Sequence, residues 1–331
     1  MKQAILYGAG DLRLEDRPAA PLEDRQVRVR TLITALSTGT DLGNYEGRST
    51  ELPLGPPYPR AVGYSNAGVI VEAGPAVRKW RVGERVFSLR PHQSGFVAAE
   101  DDLLVPLPEG LCPEEASLAY LAQLGVAALR QAGYQAGENV AVVGLGIIGL
   151  CAVAVARAMG AKVAAVANSP QRAEAAVRVG AHATYIADHT PAVFGDAGAD
   201  IVILTANTWP AYRLSLEIAA YGGRVSLLGF PGRAQPLPDF NPLDPRWIYG
   251  KQLSLLGAGF CPKTECPPAD IRFNLRRNLE FVLDRMASGA LGLDALITHR
   301  LPAARMREAY QLAAAHSKEL IAAVFDWSGM E

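Results

Sequence analysis

The chain has 331 residues, half of them apolar, with 32 Lys plus Arg against 33 Asp plus Glu for a net charge of −1. That is roughly twice a usual domain length, so two packed domains are expected. No single-sign run is present that would coat nucleic acid or an anionic membrane.

The opening MKQAILYGAG moves straight into a strand-like pattern, and no apolar stretch long enough to span a bilayer follows, so a cytoplasmic protein is expected. Residues 1 to about 110 read as short strands (QVRVRTLI, AGVIVEAG, ERVFSL, DDLLVPL) separated by Gly, Pro and Asn/Asp turns. PEEASLAYLAQLGVAALRQAG then reads as one long helix, acidic in its first turn and apolar nearly all round. After it strands alternate with helices: ENVAVVGLG, IIGLCAVAVARAMG, AKVAAVA, SPQRAEAAVRVG, DIVILTA, AYRLSLEIAAYG and GRVSLLG. Such βαβ alternation predicts a parallel sheet with helices on both faces. The tail holds a helix near 272–288, a strand at ALITHRL and a last helix near 304–315.

The cysteines, Cys112, Cys151, Cys261 and Cys266, form no disulfide framework for a chain of this length. The close pair in CPKTEC has only Pro262, Lys263, Thr264 and Glu265 between its members, so two thiols in a loop are expected rather than a zinc site.

Gly144, Gly146 and Gly149 form GLGIIG between a strand and a helix. In that setting the glycines allow a tight turn and close backbone approach to a pyrophosphate, with Gly146, Ile147 and Ile148 opening the helix toward the anion. Where NAD binders place an acid about 20 residues on, AKVAAVANSPQR has Ala167, followed by Asn168, Ser169 and Arg172. With small donors, one guanidinium and no carboxylate to repel a 2′-phosphate, the pattern predicts NADP(H). The plainer reading is a solvated Arg172 and an unselective site.

The stretches STGTDLGNYEG, AVGYSNAGVIVEAG, VRKWRVGERVF, GLGIIG and ALITHRLPAARMREAY, in that order, resemble the medium-chain dehydrogenase/reductase superfamily over nearly the whole chain. The resemblance implies an α/β protein: a GroES-like β-barrel catalytic domain of residues 1–117 and 259–331, around a Rossmann doubly wound parallel sheet domain of residues 118–258. The active site would lie in the cleft, and a homodimer would form through an edge strand near SLLGAGF.

Zinc-dependent members of that superfamily carry ligands at positions that here hold Thr38, Tyr64, Ser65 and Tyr120. None is a usual zinc ligand, and the family's four-cysteine lobe has no counterpart between Val86 and Leu107. The resemblance therefore implies a zinc-free member. Well-placed hydrogen-bond donors, at about 2.7–4 kcal/mol each, would replace a metal that stabilises oxyanion charge.

Tyr64 leads the candidates, since it occupies a lost ligand's position and its phenol is neutral at pH 7. Tyr120 is a second donor or simply a packed ring. Thr40 matches the family's hydroxyl proton relay, and Asp41 beside it orients the loop or caps the turn. His92, in RPHQSGF, is a candidate proton relay. His182, His189, His299 and His316 read as structural or solvated. The resemblance further implies that Thr205, Gly229 and Phe230 flank the nicotinamide, while Trp209, Trp247, Tyr249 and Phe260 are cleft-lining or ordinary core.

The expected function is zinc-independent, NADP(H)-dependent hydride transfer between nicotinamide and a carbonyl/secondary alcohol of a small organic molecule. The short STGTD and GY motifs also resemble dehydrogenases that oxidise a hydroxyethyl side chain. Reduction of activated C=C bonds of enones or quinones stays open, as does a non-catalytic dinucleotide sensor.

Overall fold

The computed structural model describes residues 1–48, 57–187, 193–233, 235–259 and 273–330. The Cys261/Cys266 pair, His189 and Phe260 lie outside them. Two compact units emerge: one is Met1–Tyr120, Leu279–Ala287 and Leu296–Glu331, and the other is Leu121–Asn278 with Ser288–Ala295.

The first unit begins with β1 (Lys2–Leu6), β2 (Leu12–Asp16), β3 (Gln26–Ala35), the short helix α1 (Thr40–Tyr45), β4 (Arg60–Ala61) and β5 (Asn66–Ala73). It continues with β6 (Arg85–Ser88), β7 (Gly95–Ala99), β8 (Leu104–Pro106) and α2 (Pro113–Ala116). Alternation in QVRVRTLITA buries Val27, Val29 and Thr31 on one side of β3, as a period of two requires. Those valines pack with Ile70, Val86, Phe96 and Leu104 in one apolar cluster.

The helix expected from residue 113 onward is broken. It runs as α2 and then α3 (Ala119–Gln131), with Ser117 and Leu118 between. Ser117 Oγ turns back on Glu114 O at 2.7 Å, and its carbonyl accepts the Ser65 hydroxyl at 2.5 Å. Local side-chain bonds compete there with the helical ladder.

The second unit holds β9 (Asn139–Val143), α4 (Ile147–Ala158), β10 (Lys162–Ala167), α5 (Pro170–Arg178), β11 (Ala183–Ile186), β12 (Ala199–Leu204), α6 (Trp209–Ile218), β13 (Ala219–Leu227) and β14 (Ser254–Gly257). Among the described residues these strands form one parallel sheet in the order β11-β10-β9-β12-β13-β14, which is the order of a doubly wound Rossmann sheet. Near-continuous burial along NVAVV and ADIVIL follows from helices packing over the sheet.

After α7 (Leu275–Ala287), the chain supplies β15 (Ile297–Pro302), α8 (Met306–Ala314) and β16 (Ala322–Asp326). The last strand pairs antiparallel with β3, closing the order β15-β16-β3-β5-β6-β8, with β7 also on β3. This is the GroES-like unit; Leu279–Ala287 and Leu296–Glu331 cluster with the N-terminal residues, while Ser288–Ala295 belongs to the other unit. A second cluster there unites Leu36, Tyr45, Tyr310, Phe325 and Trp327. No helix among the described residues is long and apolar enough to cross a membrane.

Candidate active site

In the GroES-like unit, the site is built around Asp41. It sits in the first turn of α1, 1% exposed. Its Oδ2 accepts the Ser37 N–H at 3.0 Å and its Oδ1 accepts the Gly63 N–H at 3.0 Å. One carboxylate thus ties the STGTD loop to the AVGY loop. Burial pushes its pKa up to about 6 against those two donors and the positive charge of Arg60.

Gly63 has φ +84°, and a Cβ there would lie 2.6 Å from the His92 imidazole, so only glycine lets the loop lie on that ring. His92 is 0% exposed. Its backbone N–H donates to Val62 O at 2.8 Å, while Phe325 and Tyr310 meet the ring edge to face. Burial pushes His92 down to about 3, so it is neutral at pH 7. Its Nδ1 is 2.8 Å from Thr34 Oγ1. Direct contact with a substrate is closed to this ring; its place is behind Asp41, with Nε2 4.0 Å from Oδ2.

Tyr64, Ser65 and Asn66 part company. Ser65 Oγ is buried and spent on Ser117 O, and Asn66 Nδ2 donates to Thr31 Oγ1 at 3.0 Å. Only Tyr64 keeps partial exposure. Its ring meets Tyr120 edge to face, with centroids 5.0 Å apart. Burial and the Asp41 charge hold its phenol above the usual 10, while the Ser37 and Thr40 hydroxyls pull the other way. Thr40 is exposed and Thr38 partly so. Three of the four expected ligand positions thus hold a tyrosine pair and a committed serine hydroxyl. Among the described residues no group of three or more His, Cys, Asp and Glu could hold a metal ion.

Sequence reasoning missed Thr34, Ser37, Tyr310 and Trp327. The last donates Nε1–H to Thr34 Oγ1 at 3.0 Å, and no spacing signal connects residues so far apart in the chain.

The buried Asp41 and His92 give opposite linkages. Asp41, raised from 3.8 to about 6, adds stability at low pH and loses it as pH rises through 6. His92, lowered from 6.5 to about 3, adds stability above 6.5 and loses it as pH falls toward 3. Between pH 4 and 6 the slopes nearly cancel. His92→Gln should uncover the Asp41 slope, so its stability relative to wild type falls by about 1 kcal/mol per pH unit from pH 4 to 6. Urea titrations at pH 4, 5 and 6 read this, and a constant difference would refute it.

In the Rossmann unit, the fingerprint stands at the carboxyl end of β9, beside β12, where the strand order reverses. Gly144 has φ +92°, and a Cβ on Gly149 would lie 1.9 Å from Gly144 O. Gly146 is exposed with open space where a Cβ would stand, and α4 begins at Ile147 with no side-chain cap. The Ile147 and Ile148 N–H groups lie in the first turn of α4, where no side chain caps the helix end. Thr205 Oγ1 donates to Gly144 O at 2.6 Å, holding the turn. Gly229 packs on the Thr205 and Ala206 backbone, and Phe230, 45% exposed, is anchored by Asn207 Oδ1 on its N–H at 2.8 Å.

At the end of β10 Ala167 is buried and Asn168 after it exposed; Ser169 stands at the N-cap position of α5 without a side-chain capping bond, and Arg172, partly buried, lies in the first turn. Of the aromatics weighed as cleft lining, Trp247 is core, Trp209 packs on Tyr212 and Phe240, and Tyr249 is 86% exposed.

Residues 23–106 match the alcohol dehydrogenase GroES-like domain, and residues 148–274 match the zinc-binding dehydrogenase family. A sorbitol dehydrogenase of Bacillus subtilis is 25% identical over 295 residues, 78% of this chain and 81% of that protein. A Mycobacterium tuberculosis protein described as a probable zinc-binding alcohol dehydrogenase is 30% identical over 357 residues, covering 96% and 87%. Among solved structures, a Sinorhizobium meliloti 1021 protein named for zinc-binding dehydrogenases and bound to NADP superposes with a TM-score of 0.79 at 20% identity, covering 98% of each chain. The (2R,3R)-butanediol dehydrogenase of Bacillus subtilis gives 0.79 at 20%, covering 98% and 99%. With a GroES-like unit carrying the Asp41 loops and a Rossmann unit carrying GLGIIG, the chain belongs to the medium-chain dehydrogenase/reductase superfamily, among its alcohol dehydrogenase-like oxidoreductases.

Proposed function

We propose that this oxidoreductase is zinc-independent and NADP(H)-dependent, moving a hydride between nicotinamide and a carbonyl/secondary alcohol of a small organic molecule. The observation that carries the reading is Tyr64. It stands where the family places an imidazole ligand, remains partly exposed, and keeps its proton at pH 7. Hydroxyls of Thr38, Ser65 and Tyr120 at the remaining ligand positions do not fit a zinc ion, which takes thiolate, imidazole or carboxylate. No step is therefore assigned to metal.

NADPH, when bound, supplies the hydride. Gly146, Ile147 and Ile148 hold its pyrophosphate on the α4 terminus; Asn168, Ser169 and Arg172 receive the 2′-phosphate; and Thr205, Gly229 and Phe230 border the nicotinamide. In the reduction direction the carbonyl carbon gains the hydride and its oxygen gains one proton. Tyr64 donates the hydrogen bond to that oxygen as negative charge grows and then gives it the phenol proton. Thr40, exposed beside it, passes the replacement proton from solvent, and Tyr120 fixes the Tyr64 ring. His92 acts from behind, through Asp41. We also place the protein in the cytoplasm as a homodimer joined along β14, the edge strand of the Rossmann sheet.

The test is transfer from C4-deuterated NADPH to saturated ketones and to enones, locating the deuterium by mass spectrometry and NMR. Deuterium on the former carbonyl carbon is expected. Deuterium on the β carbon would make this a C=C reductase, and tight NADPH binding without turnover would make it a sensor. Loss of a charge-assisted bond in Arg172→Ala should raise the KM for NADPH by about 10- to 100-fold. The KM for NADH should move less than about threefold, since no 2′-phosphate is lost; equal effects on both would remove Arg172 from the site.

A further inference from the structure

We propose that one internal water molecule bridges His92 Nε2 and Asp41 Oδ2, completing a buried chain Trp327–Thr34–His92–water–Asp41, and that through it His92 and Asp41 are positioning residues for Tyr64. The second half rests on the reading of Tyr64 as donor; the first does not.

The geometry starts at Thr34. Its Oγ1 accepts from Trp327 Nε1–H at 3.0 Å and lies 2.8 Å from His92 Nδ1, to which its own proton is assigned. The ring proton is then on Nε2. That atom is fully buried with no hydrogen-bond partner. Its nearest acceptor is Asp41 Oδ2 at 4.0 Å, too long for a direct bond. A water accepting from Nε2–H and donating to Oδ2, with two bonds of about 2.8 Å meeting near 90°, spans that gap.

Such a water needs two to four polar partners. Tyr310 OH, buried and without a hydrogen-bond partner, is the group available for a third bond, while the Ser37 hydroxyl is turned to the Tyr64 phenol. Ser37 already gives its N–H to the same Asp41 oxygen, and Tyr310 packs edge to face on the His92 ring. The titratable groups that face the pair are Arg60, Tyr64 and Tyr310, with Tyr45 against Tyr310.

The consequence lies one residue beyond Gly63. The Asp41 carboxylate opposes loss of the Tyr64 proton. Whether Asp41 carries its charge therefore sets how strongly the phenol donates, and the water-borne bond from His92 favours the charged carboxylate.

The test uses the full-length enzyme. In 15N-labelled protein, His92 should appear as the neutral Nε2–H tautomer unchanged from pH 5 to 8, and a high-resolution crystal structure should hold a water within about 3.2 Å of both atoms. The rate of carbonyl reduction against pH should show an inflection near the Asp41 value, higher on the acid side. His92→Phe should move that inflection up by about one pH unit with KM unchanged, and His92→Gln, which keeps an N–H, should restore it. An Nδ1–H tautomer, an imidazolium at pH 7 or no ordered water overturns the chain. An inflection that stays put in His92→Phe overturns the positioning role. If His92→Phe does not fold, the same inflection is compared in wild type and His92→Gln after the tautomer is assigned, and a break lost in His92→Gln overturns the role. If Tyr64→Phe leaves turnover intact, the functional reading falls, and tautomer and water still decide the chain.

Discussion

Replacing Tyr64 by phenylalanine is expected to lower kcat by about 100- to 1,000-fold with little change in KM, the loss typical of one donor to a developing oxyanion. The change removes a single oxygen atom. The ring keeps its edge-to-face contact with Tyr120, and the Asp41 bonds to the Ser37 and Gly63 backbones do not involve the phenol. The buried Ser37 hydroxyl loses its bond to the phenol, so thermal unfolding should cost about 1–2 kcal/mol less, a loss too small to unfold the protein. Steady-state kinetics beside a melting curve separates chemistry from folding. A loss in kcat below about threefold would remove Tyr64 from the reaction. Tyr120→Phe is the control, because a ring that only packs loses little when its hydroxyl goes.

Gly149→Ala is the second large effect. Its Cβ would stand 1.9 Å from Gly144 O and the Thr205 hydroxyl would be 2.9 Å away, both within the turn that carries the fingerprint. Neither neighbour is the loose end of a side chain: Gly144 O accepts the Thr205 hydroxyl at 2.6 Å, and Thr205 N–H is bonded to Val143 O. The helix must move away from the strand. A cost of about 1–3 kcal/mol in stability is expected, together with loss of NADPH retention, because the α4 N–H groups no longer converge on the pyrophosphate. Melting temperature and NADPH fluorescence titration check it. Unchanged affinity would show that this helix terminus does not hold the cofactor. Gly146, with open space around its missing side chain, should tolerate alanine for folding, so the pair of variants separates packing from ligand approach.

Much of the architecture was legible because it is written in short-range patterns. The all-β texture of QVRVRTLI and AGVIVEAG, and the alternation of apolar strands with helices after residue 139, reflect periods of two and 3.6 that each segment carries by itself. GLGIIG was legible for the same reason, since its turn, its strand and its helix are neighbours in sequence. The single long helix at 113 failed where a side chain distant in sequence intervened. Ser65 reaches the Ser117 carbonyl across 52 residues, and no local signal announces that bond.

The candidate site divides along the same line. By residue type and order alone, the sequence determined the family resemblance, the fingerprint and the presence of hydroxyls where relatives hold metal ligands. Tertiary structure alone decided which of those groups remain exposed. It spent Ser65 and Asn66 on buried bonds, left Tyr64 partly open beside Tyr120, and sealed His92 beneath Gly63 with Tyr310 and Phe325 from the far end of the chain. Burial and hydrogen-bond satisfaction depend on what other segments bring to a side chain, and that cannot be read from its own neighbours in sequence.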